Sequence, residues 1–271
     1  TRIPPARIRE WIASDRYHSG IHDPRSGHLH PLKYALGLAR AAAAGGVRIF
    51  EQTSVLALEP GDTVRLVTPG GQVSADQVLL AGNVYLQGIA PQLERRIMPV
   101  GTYIACSQAL DPALADALVP TRSAVCDTDF VLDYFRTTND HRMLYGGRVS
   151  YSTRTPANLE ESMRRRMVAT FPQLASARIE YSWGGFVDIT MNRAPHFGRL
   201  GPNAFFIQGL SGHGMVISGI AGKLFSEVIG GSAERFDMYS RIPHRDFPGG
   251  TYFRRPMLVL AMLWFRILDL L

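Results

Sequence analysis

Four small or polar residues, Ser211-Gly212-His213-Gly214, interrupt the apolar stretch "NAFFIQGLSGHGMVISGIAGKLFSEVI" at residues 203–229. The run before them reads as a strand and the run after them as a helix, which puts the four on a strand-to-helix turn. Gly212, Gly214, Ser218 and Gly222 carry little or no side chain, and positions 214, 218 and 222 share one helical face. So many small residues lower helix propensity, so something must approach this backbone closely. It is either a tightly packed neighbouring element or a ligand. The open amides at the helix start, over Ser211–Met215, can hold an anion or an electron-rich carbonyl. A nicotinamide dinucleotide site asks for GxGxxG and an acid about 20 residues further on. Here Gly212-His213-Gly214 is followed by no glycine at 217, and Glu234 falls in a stretch that reads as a polar turn.

Other residues have chemistry without such a context. Arg148 in "YGGRVS" and Arg193 in "MNRAPHFG" could each bind a carboxylate as a rigid, bidentate cation, with a surface ion pair as the alternative for both. His213 could hydrogen-bond beside a ligand ring or serve the tight turn alone. His18, His22, His28 and His30 crowd into "YHSGIHDPRSGHLH". Their spacing permits a metal site, but no cysteine or paired acid supports one, and no metal is expected. Cys106 and Cys126 form neither CxxC nor a ligand spacing, which fits reduced thiols and a cytoplasmic protein.

The elements that must position these residues are legible from pattern. "PLKYALGLARAAAAGG" (31–46) reads as a helix with Pro31 in its first turn and Gly45-Gly46 at its end. "VRIFEQTSVLALEP", "TVRLVTP", "QVSA" and "QVLLAG" follow as short strands, with a turn at Pro69-Gly70-Gly71. A second set of strands runs through "IMPVGTYIACSQAL", "FVLDYFRTT" and "HRMLYGGRVSYS". A helix is expected over 157–171, with acids early and arginines late, then a strand in "ARIEYSWGGFV" and a hairpin in "APHFGRLGPNAFFIQG". The fold class is α/β (α+β), without internal repeats.

Composition narrows the partners. The 271 residues are 46% hydrophobic and 19% charged, which is globular rather than disordered. The net charge of +6 comes almost wholly from arginine, since Lys33 and Lys223 are the only lysines. The arginines are scattered, the longest run being Arg164-Arg165-Arg166, and no basic stripe interleaved with aromatics suggests nucleic acid. The apolar tail "PMLVLAMLWFRILDLL" is broken by Arg266 and Asp269 and is shorter than the roughly 20 residues of a bilayer span. A docked helix is expected there rather than a membrane anchor.

The motifs resemble those of FAD-dependent oxidoreductases of the D-amino-acid oxidase and sarcosine oxidase group. "SGHGMVISGIAGKLFSEVI" is similar to that family's late strand–turn–helix, whose amides meet the pyrimidine edge of the flavin. "HLHPLKYALGLARAAAAGGVRIFEQTSVLALE" and "VRLVTPGGQVSADQVLLAGNVYL" resemble its segments beside the adenine and the dinucleotide. The resemblance spans essentially the whole chain. It implies that Val55, Ala81, Gly82, Ser211, Gly212, His213, Gly214 and Met215 bind FAD non-covalently, with part of the FAD domain in 1–95, a substrate domain in 96–185, a returning FAD segment in 186–230 and a tail in 231–271. It also implies oxidation of an amine C–N bond, with hydride passing to flavin N5 and oxygen as final acceptor. Within that group, the resemblance carried by "SGHLHPL", "FPQL", "AERFD" and "HRDFPGG" implies γ-glutamylputrescine as the amine, an amino acid or sarcosine being the alternative. The family's opening strand–GxGxxG–helix is not among these residues. The resemblance therefore implies a further amino-terminal portion of about 150 residues, one ordinary domain's worth. Without it the chain alone is expected to be free of flavin and inactive.

Overall fold

A computed structural model describes residues 1–86, 88–129, 132–150, 155–250, 253, 256, 259 and 260, with 148–150 described by backbone alone. The first half holds β1 (Arg2–Ile3), β2 (Gly20–Ile21), α1 (Pro31–Ala44), β3 (Ala57–Glu59), β4 (Val64–Thr68), β5 (Gly71–Ala75), β6 (Val78–Leu80), α2 (Pro91–Glu94), β7 (Met98–Ser107), α3 (Pro112–Leu118) and β8 (Val125–Cys126). The second holds β9 (Tyr134–Thr137), β10 (Met143–Ser150), α4 (Leu159–Thr170), β11 (Ile179–Ile189), β12 (His196–Arg199), β13 (Ala204–Gln208), α5 (Gly214–Ile229) and α6 (Glu234–Ser240). Two compact units emerge: Thr1–Leu29 with Gly101–Gly185 and Leu260, and His30–Val100 with Phe186–Val259.

The first unit is built on a five-stranded sheet in the order β11-β7-β10-β9-β8. Strand alternation sends Tyr103, Ala105, Phe135, Met143 and Tyr145 to one face, where they are buried. Helix α4 covers that face with Leu159, Met163 and Met167, an i, i+4 row, while Glu160 and Glu161 occupy its first turn. The arginine run on α4 is spent on local partners. Arg166 donates from Nε and Nη2 to Oδ1 of the buried Asp133 at 2.9 and 2.7 Å, and Arg165 pairs with Glu161. Arg16 Nη1 reaches the other oxygen of Asp133 at 2.6 Å. Residues 1–29, expected with the segment that follows them, group instead with this sheet. The reason is burial: Ile3, Ile8 and Ile12 enter its core.

The second unit contains a parallel pair, β6 and β13, with β12 antiparallel on the far side of β13. A separate antiparallel meander, β3-β4-β5, packs Val64 and Leu66 toward Val78, Leu80 and Phe206. Helix α5 buries Ala221, Leu224 and Val228 in a cluster with Phe197, Phe205, Ile207 and Phe236. Two local expectations fail here. "VRIFEQTSVLALEP" forms a strand only over Ala57–Glu59, because no described strand lies beside 47–56 to complete a ladder, and Val47, Ile49 and Phe50 stay exposed. Glu234 opens α6 instead of sitting in a turn, because Phe236 gives that segment a buried anchor. The apolar tail beyond 256 lies almost entirely outside the described residues.

Candidate functional site

Because β6 and β13 run parallel, with Leu80 opposite Phe206, their carboxyl ends lie side by side. Ala81 and Gly82 leave one strand and Gly209 leaves the other at the same edge of the sheet. The carboxyl edge of parallel strands is where ligands of α/β sheets dock. Gly82 lies close against Leu86, whose side chain would have to shift to admit a Cβ, since its Cδ2 would stand 2.7 Å away.

The turn from β13 into α5 is held from beneath by an acid. Asp188 is buried, and its carboxylate accepts from the backbone N–H of Gly209 and, at 3.0 Å, from that of Leu210. The Ser211 N–H donates to the Asp188 carbonyl at 2.9 Å, and the Ser211 hydroxyl donates to the Gly209 carbonyl at 3.1 Å. Burial raises the Asp188 pKa above the ordinary carboxylate value, against the opposing pull of the two amides. Gly209, Ser211 and Gly212 all have left-handed φ, at 70°, 50° and 87°. Gly209 is doubly constrained, because a Cβ would overlap Thr190 Cγ2. An unusual backbone turn is thus fixed by one buried carboxylate and one buried serine.

What the turn presents is open. The first intrahelical bond of α5 runs from Ile217 N–H to the His213 carbonyl, so the amides of Gly214, Met215 and Val216 precede it and point out of the helix end. His213 is the N-cap residue, but its ring makes no cap bond; Nδ1 lies 3.3 Å from the Ser211 carbonyl. Nothing described comes within 4 Å of where a Cβ would sit on Gly212, Gly219 or Gly222, and Gly214 meets only Leu210 at 3.5 Å. Among the described residues no neighbouring element packs against these positions. They leave a bare strip of helix beside amides that have no partner among the described residues, a cradle that fits the edge of a flat, electron-rich ring.

The remaining sequence candidates are dispersed. Val55 lies half-buried just before β3, in the second unit. Arg193, also in that unit, is an exposed residue with φ of 58° on the turn that Thr190 anchors through the Ala194 carbonyl. The backbone of Arg148 lies in β10 of the first unit, at the irregularity between Gly147 and Val149; its side chain is outside the described residues. Lys33 and Lys223 are exposed on α1 and α5. The clustered histidines have separate tasks: His30 Nδ1 accepts from Lys33 N–H at the start of α1, His22 packs on Trp11, and His28 lies beside Arg136. Among the described residues no group of three His, Cys, Asp or Glu could hold a metal ion.

Sequence reasoning missed Asp188, Thr190 and Gly209. It also missed a buried cluster around His196, whose Nδ1 lies 3.0 Å from Gln208 Nε2 and whose ring is 4.2 Å from that of His244. Burial, then the neighbouring His244 and Arg96, pushes the pKa of His196 down to about 3. An acid inside the apolar run "GGFVDIT" is the one sequence signal that could have exposed Asp188.

Comparison with known proteins identifies the class. Residues 1–228 match the DAO family, FAD dependent oxidoreductase, and the chain belongs to that family. It is 40% identical over 263 residues to gamma-glutamylputrescine oxidoreductase of Escherichia coli (strain K12), covering 97% of this chain and 62% of that protein. It is 36% identical over 259 residues to the probable oxidoreductase OrdL of Rhizobium meliloti, covering 95% and 60%. The chain thus spans about three fifths of the length of these relatives. Its fold is that of glycine oxidase from Geobacillus kaustophilus, with a TM-score of 0.77 at 19% identity over 90% of this chain and 67% of that one. L-Proline dehydrogenase from P. horikoshii superposes with a TM-score of 0.73 at 18% identity, over 88% and 68%. No helix among the described residues is long and apolar enough to cross a membrane.

Proposed function

We propose that this chain is the larger part of an FAD-dependent amine oxidase acting on γ-glutamylputrescine. The observation that carries the cofactor reading is the Asp188-held turn, which leaves a glycine strip and the amides of Gly214, Met215 and Val216 open at the carboxyl edge of β6 and β13. The substrate reading is supported by the 40% identity to the E. coli enzyme. Bound there, FAD would supply the two-electron oxidation of the amine C–N bond, with water giving aldehyde and ammonia and oxygen taking up the two electrons and two protons as hydrogen peroxide. The chain's own residues bind and orient. The amides at 214–216 stabilise negative charge at the ring edge, in a setting fixed before the reaction and needing no reorganisation. Ser211, Gly212, His213 and Met215 shape that edge, and Ala81 and Gly82 flank it. Val55 would meet the nucleotide end.

The pyrophosphate partner is a separate amino-terminal segment with a glycine loop. Its docking surface in this reading is the apolar skin of α1 and the stretch after it, where Leu32, Leu36, Leu38, Val47, Ile49 and Phe50 are exposed. The 271-residue chain alone should then carry no flavin. Losing two charge-assisted contacts of about 1.5–3 kcal/mol each weakens binding by roughly a hundredfold to ten-thousandfold. Two free cysteines, one buried and one exposed, accord with a reducing, cytoplasmic setting.

Anaerobic mixing tests the reading. The full-length protein should be yellow, and its flavin should bleach with γ-glutamylputrescine. Bleaching with sarcosine or an amino acid but not with that amine would replace the substrate. A colourless full-length protein would remove the cofactor reading.

A further inference from the structure

Residues 243–247, just beyond α6, form neither helix nor strand. Pro243 and Pro248 bar both, so side chains must hold this stretch in place. Its anchors all belong to the second unit. Asp246 gives one oxygen to Arg96 Nε at 3.3 Å and the other to Arg95 Nε at 3.5 Å, and Phe247 N–H donates to the Arg95 carbonyl at 2.9 Å. Asn192 Nδ2 donates to the Pro243 carbonyl at 2.9 Å, and His244 Nε2 to the Pro195 carbonyl at 3.2 Å, which ties the stretch to the turn between β11 and β12. That turn is tied in its own right to the Asp188-held turn. Thr190 Oγ1 donates to the Ala194 carbonyl at 2.8 Å, and Thr190 N–H to Ser211 Oγ at 3.4 Å.

Two imidazoles meet at the centre of these contacts. The His244 ring lies 4.2 Å from that of His196, whose other neighbour is the Phe206 ring at 4.7 Å. His196 is surrounded by donors. Gln208 Nε2, which donates to the Leu93 carbonyl at 3.1 Å, turns its second hydrogen to Nδ1 at 3.0 Å, and Arg96 Nη1, a donor in every state, lies 3.4 Å from Nε2. One ring proton already opposes one of these donors; a second would oppose both and set a charge beside Arg96. Burial lowers the His244 pKa as well, the Pro195 bond opposing the shift and Arg96 adding to it. Of the other charges here, Asp246 is held by Arg95 and Arg96, Arg245 is exposed, and Asp188 of β11 gives its oxygens to Gly209 and Leu210. A histidine whose pKa is lowered while the stretch is in place holds it fully above about pH 6.5 and lets it go as pH falls. We propose that residues 243–247 are an acid-released strap: at neutral pH they clamp the turn between β11 and β12, and when the paired imidazoles take up protons the strap lifts and the Asp188-held turn loosens with it. This goes beyond the oxidase reading and does not depend on it.

Hydrogen exchange of the full-length protein at pH 7.5 and 5.5, corrected for the intrinsic amide rate, tests it. Protection at Phe247 and over 209–211 should fall by about 30- to 100-fold at the lower pH, since each of two protons taken up below about 6.5 contributes up to about tenfold per pH unit. The β13 core at 205–207 should keep its protection. His244→Gln, whose amide can retain the Pro195 bond without titrating, should reduce the fall to about tenfold or less, and adding His196→Gln should bring it within about twofold. Asp246→Asn removes the ion pairs but neither imidazole, so it should speed exchange at Phe247 at both pH values and keep the fall. Unchanged protection at Phe247, an undiminished fall in the double variant, or a fall shared by 205–207 would overturn the proposal. So would release at Phe247 with 209–211 unmoved. A colourless protein that still shows the fall would sink the cofactor reading and leave the strap standing.

Discussion

Asp188→Asn is the sharpest test of how the turn before α5 is built. In the native chain one carboxylate oxygen accepts from Gly209 N–H and the other, at 3.0 Å, from Leu210 N–H. A hydrogen bond to a charged acceptor contributes about 1.5–3 kcal/mol, and a buried donor left without a partner costs about 1–3 kcal/mol. Asparagine keeps one acceptor, now neutral, and turns an NH2 group toward the other amide. Burial of the charge opposes these bonds, since it raises the Asp188 pKa, and removing the charge returns part of that cost. The net expectation is a loss of about 1–3 kcal/mol for Asn, and more for Asp188→Ala, which leaves both amides unpaired. Urea unfolding of the 271-residue chain measures it as a shift of midpoint at constant m. Amide exchange should quicken at 209–211 before it does in the β13 core. Unchanged stability in the Asn variant, with Ala no worse than Asn, would show that the carboxylate is not what holds the turn.

Gly214→Val should leave stability within about 1 kcal/mol, because only Leu210 is near and valine is no worse in a helix than glycine, yet it should lower flavin content in the full-length protein. Equal flavin content with a lowered melting temperature would contradict the open-strip reading. Asp133→Asn strips charge from a buried acid held by Arg16 and Arg166 and should cost about 3–5 kcal/mol in urea midpoints; a loss under about 1 kcal/mol would show the cluster to be incidental. His196, neutral when folded with its pKa pushed down to about 3, takes up a proton on unfolding below about 6.5. Its contribution is therefore intact above pH 6.5 and falls as pH drops toward 3, by at most about 1.4 kcal/mol per pH unit. Urea midpoints at pH 7.5, 6.0 and 5.0 should show this slope flattened in His196→Gln, and an identical slope in that variant would refute it.

Elements whose signal is local were legible in the sequence. The alanine-rich α1 starts at Pro31 and stops before Gly45 as read, and α5 spans Gly214–Ile229 where its apolar spacing places it. The hairpin of β12 and β13 and the meander β3-β4-β5 follow from short apolar runs joined by turn residues. Where the reading failed, a distant partner decided. The stretch 47–56 has every residue type a strand wants but no neighbouring strand among the described residues, and extended backbone without a ladder does not hold as sheet. Residues 1–29 could not be placed by pattern because Ile3, Ile8 and Ile12 show no period; they belong to the first unit because Phe135, Tyr145 and Met167 offer a core to fill.

The site divides along the same line. Gly212 and Gly214 announced themselves because an absent side chain in a helix start has few explanations, and no described neighbour packs on the strip. Asp188 did not, because its role exists only once β11 delivers it beneath a turn 21 residues away in sequence. Ser211 shows the same dependence. Its positive φ is costly for a non-glycine residue, and it is tolerated because the N–H goes to the Asp188 carbonyl and the hydroxyl to the Gly209 carbonyl. A strained turn held by a buried acid is a costly way merely to connect a strand to a helix, and glycine at 211 would have been cheaper. What the expense secures is a fixed direction for the first amides of α5, which is the property that a site for a developing negative charge requires.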